Sequence, residues 1–265
     1  MALAAAAPGG RMIRWVFLDI GNVLWDEDPL TYFSFRRHVE AVRAVRPDLT
    51  FDALLAAREA KALAGSRWPV HEVTSAILNE RRCVELWEET SRDARARFTA
   101  LSPPIAGAIE LIRGLAGRFR LGLIANQPRQ CRGRLAELGL LECFEVTALA
   151  EEEGVFKPDP ALFARALDRA RALPAECLMV GDRLDDDVTP AAAIGMATAW
   201  VRWPDRLAKG WMPDDPDAHS YVRSLGRVAR AVAARVGGVV PAITVDETRE
   251  LAAAIDGYAR VPNVS

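Results

Sequence analysis

A chain of 265 residues, 51% hydrophobic and 26% charged with a net charge of -2, is long enough for one large domain or a core with an insert, and too short for a multidomain array. That balance excludes fibrous and disordered classes and argues against nucleic acid as a partner. Arginines interrupt every apolar segment, so no run approaches the roughly 18 to 20 residues of a membrane span, and a non-membrane protein is expected.

The alanine-rich start lacks the basic flank of a signal peptide, so residues 1–11 are read as a disordered tail ahead of a second candidate start at Met12. Cys83, Cys131, Cys143 and Cys177 have no C-x-x-C spacing and sit among apolar neighbours, the pattern of reduced thiols in a cytoplasmic protein. His38, His71 and His219 are too scattered for a zinc site, so any metal is expected on oxygen ligands. Of the 34 basic residues only Lys61, Lys157 and Lys209 are lysine, which makes each lysine position informative.

In chain order, the short apolar run Trp15-Val16-Phe17-Leu18 predicts a strand buried on both faces of a parallel sheet, ending in Asp19-Ile20-Gly21-Asn22. Helical periods then predict helices over 32–45, 51–63, 73–86 and 91–98, an all-helical insert closed by Ser102-Pro103-Pro104. From there strands and helices alternate, the pattern of βα units. Helices are predicted over 105–115, 129–138 and 160–170, and strands over 119–125, 144–148, 177–181 and 197–201, with a short alanine helix opened by Thr189-Pro190. Beyond Trp203, 225–236 and 247–255 read as helical. The fold class is α/β, a Rossmann-like three-layer α/β/α core with an inserted all-α cap. The core takes 1–26 and 101–265, with 225–265 as a C-terminal helical extension, and the cap takes 27–100.

Reactive groups in an open parallel sheet gather beyond the carboxyl ends of its strands. Three predicted strands end in polar residues: Asp19, Asn126 with Gln127, and Asp182 within Gly181-Asp182-Arg183-Leu184-Asp185-Asp186-Asp187. Either aspartate alone suits a helix N-cap. Placed on adjacent strands, the two carboxylates would call for a hard, oxygen-ligated cation such as Mg2+.

Four segments in order, Asp19-Ile-Gly-Asn-Val-Leu, Leu123-Ile-Ala-Asn126, Lys157-Pro158-Asp159-Pro160 and Gly181-Asp182 with Asp187 five positions on, resemble the four motifs of the haloacid dehalogenase-like hydrolase superfamily. The resemblance runs over about 14–201 and includes a small helical cap after the first motif. It implies that Asp19 is a nucleophile forming an aspartyl-phosphate. It implies a Mg2+ site of Asp19, Asp182 and the main-chain carbonyl of Gly21, with Asp187 as ligand or support. Lys157 would neutralise the nucleophile and the transferring phosphoryl group, and Asn126 would bind phosphate. The expected partner is a small soluble phosphate monoester.

Two positions depart from the commonest pattern of that superfamily. Gly21 stands where a second aspartate usually handles the leaving-group proton, a contribution of about 10²- to 10⁴-fold. Ala125 stands where a hydroxyl usually meets the phosphoryl group. The readings that accommodate this are a proton supplied by Asp26 or Glu27, a substrate with a good leaving group, a 2-haloacid dehalogenase, and a catalytically weakened binding or regulatory protein. Substrate choice is expected to lie in the cap, where Trp25, Trp68, Trp87, Arg36, Arg37, Arg81 and Arg82 are candidates to line the site or hold an anionic substrate. The plainer reading makes most of them core tryptophans and solvated arginine pairs with no assigned role.

Overall fold

The protein is seen in a computed structural model that describes residues 12–259 apart from Met212 and Gly237. Residues 1–11, expected to form a disordered tail, lie outside the described residues. In chain order, β1 (Trp15–Leu18) is followed by α1 (Asp28–Val45), α2 (Phe51–Leu63), α3 (Pro69–Ser75), α4 (Glu80–Ala96) and the single turn α5 (Phe98–Leu101). There follow α6 (Ala108–Ala116), β2 (Arg120–Ala125), α7 (Gln130–Glu137), β3 (Phe144–Leu149), α8 (Ala150–Glu153), α9 (Pro160–Ala170) and β4 (Cys177–Gly181). The chain ends with α10 (Thr189–Ala193), β5 (Ala197–Val201), α11 (Pro216–Arg235), β6 (Ile243–Val245) and α12 (Leu251–Ala259).

The chain divides into two compact units, one of 1–25, 104–204 and 236–265, the other of 26–103 and 205–235. The first is the Rossmann-like α/β core: a sheet of order β3-β2-β1-β4-β5-β6 with every pair parallel and helices against it. Its strands read as continuous apolar runs because both faces are covered. Trp15, Phe17, Cys177 and Met179 pack with Leu162, Phe163 and Ala166 of α9, while Val16, Leu18, Leu178 and Val180 on the opposite face are fully buried too. Gly122 is required in β2 because a Cβ there would overlap the Phe17 ring. The order reverses between β1 and β4, which sets the carboxyl ends of those two strands side by side.

The sequence pattern missed β6, whose register Ala199↔Ile243, Trp200↔Thr244 and Val201↔Val245 extends the sheet at β5. Three residues are too few to show a period.

The second unit is helical. Tyr32, Phe35, Val39 and Val42 of α1, Phe51, Leu54 and Leu55 of α2, Cys83 and Leu86 of α4, and Ala218 and Tyr221 of α11 form its core. The helix expected over 73–86 is broken: α3 ends at Ser75, and the Asn79 side chain accepts the Arg82 N–H at 2.9 Å to start α4. α4 then runs through the separate helix expected over 91–98. Residues 205–235, placed above with the core, cluster with these helices because α11 lays Ala218 and Tyr221 against α1 and α2. Trp25 is buried, as expected. Trp68 and Trp87 are instead 56% and 50% exposed and pack edge to face on one another.

The helical unit also holds a buried ionic cluster. Lys209 Nζ reaches Asp26 Oδ1 at 3.0 Å and Asp28 Oδ2 at 2.8 Å, and Arg206 reaches Asp28 Oδ1 at 2.8 Å. Asp26, weighed above as a proton source, is 2% exposed and committed to this cluster. All four cysteines are free thiols, and among the described residues no helix is long and apolar enough to cross a membrane.

Candidate active site

Asp19 follows β1 directly, its N–H bonded to Val180 O of β4 at 2.8 Å, so strand pairing itself brings it to the end of the neighbouring strand. Asp182 follows Gly181, the last residue of β4. Leu184–Val188 forms one π-helical turn, with Val188 N–H on Arg183 O at 3.2 Å, and the wide turn swings Asp187 back toward the strand. Gly181 is required for that return, since a Cβ at this position would overlap the Asp187 carboxylate.

Asp19, Asp182 and Asp187 thereby offer carboxylate oxygens within 4.8 Å of one another. Lys157 enters the group from the loop before α9. It is 1% exposed, and its ammonium lies 2.8 Å from Asp19 Oδ1 and 2.5 Å from Asp187 Oδ1. The lysine is held through its own peptide, because Asn126 Oδ1 accepts the Lys157 N–H at 2.7 Å and Asn126 Nδ2 donates to Lys157 O at 3.1 Å. The Asn126 carboxamide thus fixes the lysine main chain. Asp187 is held at both oxygens, since Oδ2 accepts the Arg183 N–H at 3.0 Å.

The electrostatics follow from three clustered carboxylates, two of which, Asp19 and Asp187, share one ammonium. Burial raises the Asp19 carboxyl, Lys157 opposes that and the Asp182 charge adds to it. Burial pushes Asp187 up to about 6, against the pull of Lys157. Lys157 loses hydration on burial, yet Asp187 and Asp19 raise its pKa well above that of an ordinary lysine. Three carboxylates, two of them paired with the one lysine, leave an excess of hard oxygen donors and of negative charge that suits a divalent cation.

Asn22 was not singled out as a site residue. It is 8% exposed in a left-handed conformation with φ 53, and its Nδ2 donates to Asp182 Oδ2 at 3.0 Å. Its carbonyl accepts the indole N–H of Trp203 at 2.6 Å, and the main-chain carbonyl of Asp182 accepts that of Trp200 at 3.0 Å. An asparagine directly after Gly21 in a tight turn was the available signal, since asparagine tolerates φ > 0. Trp203, 181 residues away from it in sequence, carried none.

Residues 13–195 match a family model described as haloacid dehalogenase-like hydrolase. A pyrimidine 5'-nucleotidase of Escherichia coli (strain K12) is 31% identical over 115 residues, 41% of this chain and 51% of that enzyme, so the match spans about half of that relative's length. A glyceraldehyde 3-phosphate phosphatase of Pyrococcus furiosus is 28% identical over 202 residues, 73% of this chain and 82% of that enzyme. The fold is shared with the L-2-haloacid dehalogenase of Xanthobacter autotrophicus at a TM-score of 0.56 and 19% identity, over 93% of this chain and 99% of that one.

Proposed function

The chain belongs to the haloacid dehalogenase-like hydrolase family, and within it we propose that this hydrolase is a Mg2+-dependent phosphatase acting on a small phosphate monoester. The observation that carries the reading is the cluster of the Asp19, Asp182 and Asp187 carboxylates, with the buried Lys157 ammonium bonded to Asp19 and Asp187. The names of two relatives, a pyrimidine 5'-nucleotidase and a glyceraldehyde 3-phosphate phosphatase, support it.

An Asp19 carboxylate oxygen attacks phosphorus in line, the ester P–O bond breaks, and the phosphoryl group becomes bonded to Asp19. Water then adds to phosphorus, the Asp19–phosphorus bond breaks, and phosphate leaves with the carboxylate restored. Lys157 offsets charge on Asp19 and on the phosphoryl oxygens from a buried position, where such an interaction counts most. Asn126 serves the phosphate pocket by fixing the lysine's peptide. Asp19, Asp182 and the Gly21 carbonyl would hold Mg2+ with Asp187 in support, and the bound ion supplies Lewis-acid stabilisation of phosphoryl oxygens. Gly21 can move no proton, so the departing oxygen takes its proton from solvent, and esters with acidic leaving groups react fastest.

The test is phosphate release from an aryl phosphate with and without Mg2+, in the natural protein and in Asp19→Asn. Turnover that needs Mg2+ and vanishes in the variant supports the reading. Halide release from a 2-haloacid with no phosphate release overturns it.

A further inference from the structure

Asp182 and Asp187, two of the acidic residues beyond β4, are held by unlike partners. Asp187 has one oxygen on an ammonium and the other on a main-chain N–H. Asp182 is gripped at Oδ2 by the neutral carboxamide of Asn22 at 3.0 Å. A neutral donor fixes the plane of a carboxylate without itself cancelling its charge, so the Asn22 carboxamide orients Asp182 at no cost to its attraction for a cation.

Asn22 is itself held from the far end of the chain. Its carbonyl accepts Trp203 Nε1 at 2.6 Å, and the next carbonyl, that of Val23, accepts the hydroxyl of the fully buried Thr248 at 2.9 Å. Trp203 follows β5 and its N–H bonds Asp246 O at 3.2 Å, just past β6. Both supports lie beyond residue 195, where the family match ends.

From this we infer that Asn22 is a positioning residue for Asp182, and that Trp203 and Thr248, supplied by the C-terminal return of the chain, lock the 20–25 turn so that the Asn22 carboxamide faces that carboxylate. The inference rests on the metal-dependent reading above and extends it to the residues that set metal affinity.

Asn22→Gly isolates the carboxamide, because glycine adopts φ 53 freely and the turn is kept. Mg2+ is titrated calorimetrically into the full-length natural protein, Asn22→Gly and Trp203→Phe, with thermal unfolding to confirm that each is folded. Asn22→Gly is expected to raise the Mg2+ dissociation constant by about 10- to 100-fold. The Mg2+ concentration for half-maximal phosphate release should rise by the same factor, with turnover recovering at saturating Mg2+, which a merely structural defect would not produce. Trp203→Phe removes one hydrogen bond to the turn, and a shift of about 2- to 10-fold in the same direction is expected. It carries the test if Asn22→Gly does not fold.

An affinity that differs by less than about twofold from that of the natural protein in every folded variant overturns the inference while leaving the phosphatase reading intact. Turnover that survives Asp19→Asn, alongside weakened Mg2+ binding in Asn22→Gly, overturns the phosphatase reading and keeps the role of Asn22. A natural protein that binds no Mg2+ overturns both.

Discussion

Replacing Lys157 with methionine removes the single ammonium that Asp19 and Asp187 share and leaves a side chain of similar length in a site 1% exposed. Taking one partner from a buried, hydrogen-bonded ion pair costs about 3–5 kcal/mol, since the remaining charges keep their desolvation penalty without its offset. For a chain of this size that is a fall in melting temperature of roughly 6–20 °C, measured in Mg2+-free buffer by thermal unfolding. The double variant Lys157→Met/Asp187→Asn removes one of the orphaned charges and should recover part of the loss. Mg2+ should stabilise Lys157→Met more than the natural protein, because the cation then meets three uncompensated carboxylates. Turnover of an aryl phosphate should fall by about 10²- to 10³-fold or more, as when a preorganised charge is removed from a phosphoryl site. A Lys157→Met protein within about 1 kcal/mol of the natural one without metal would refute the charge-sharing argument.

Gly181→Ala puts a methyl group into the Asp187 carboxylate, which Lys157 and the Arg183 N–H hold in place. About 1–3 kcal/mol of stability should be lost, read by denaturant unfolding, together with Mg2+ affinity. In the helical unit, Lys209→Met takes the ammonium from Asp26 and leaves Asp28 to Arg206 alone, and a loss of about 3–5 kcal/mol is expected by the same measurement, partly restored in Lys209→Met/Asp26→Asn. Burial, with His71 adding to it, pushes the His38 imidazole down to about 4. Between that value and the ordinary 6.5 the unfolded chain binds the extra proton, so stability rises with pH there and is lost as pH falls. The loss is at most about 3 kcal/mol, and His38→Gln should flatten that part of the stability-against-pH curve.

Local pattern was enough for much of this molecule. The apolar runs at 15–18, 120–125, 144–149, 177–181 and 197–201 are strands because buried parallel strands need no alternation, and the stripe Leu162, Phe163, Ala166, Leu167 and Ala170 is a helix because its period is 3.6. Asp19, Asn126 and Asp182 stood out because each stands at a strand end, where chemistry concentrates in this architecture, whereas Lys157 and Asp187 were reached through the resemblance of their segments to the family's motifs. What remained hidden is contact between distant segments. Nothing near Asn22 announces Trp203 or Thr248, nothing near α11 announces α1 and α2 as its partners, and the three residues of β6 acquire a strand's identity only by pairing with β5. Periodicity and capping record interactions within a few residues. The grip on Asp182 and the return of the C-terminal segment depend on pairings made across the whole fold, where close packing selects partners that sequence distance does not reveal.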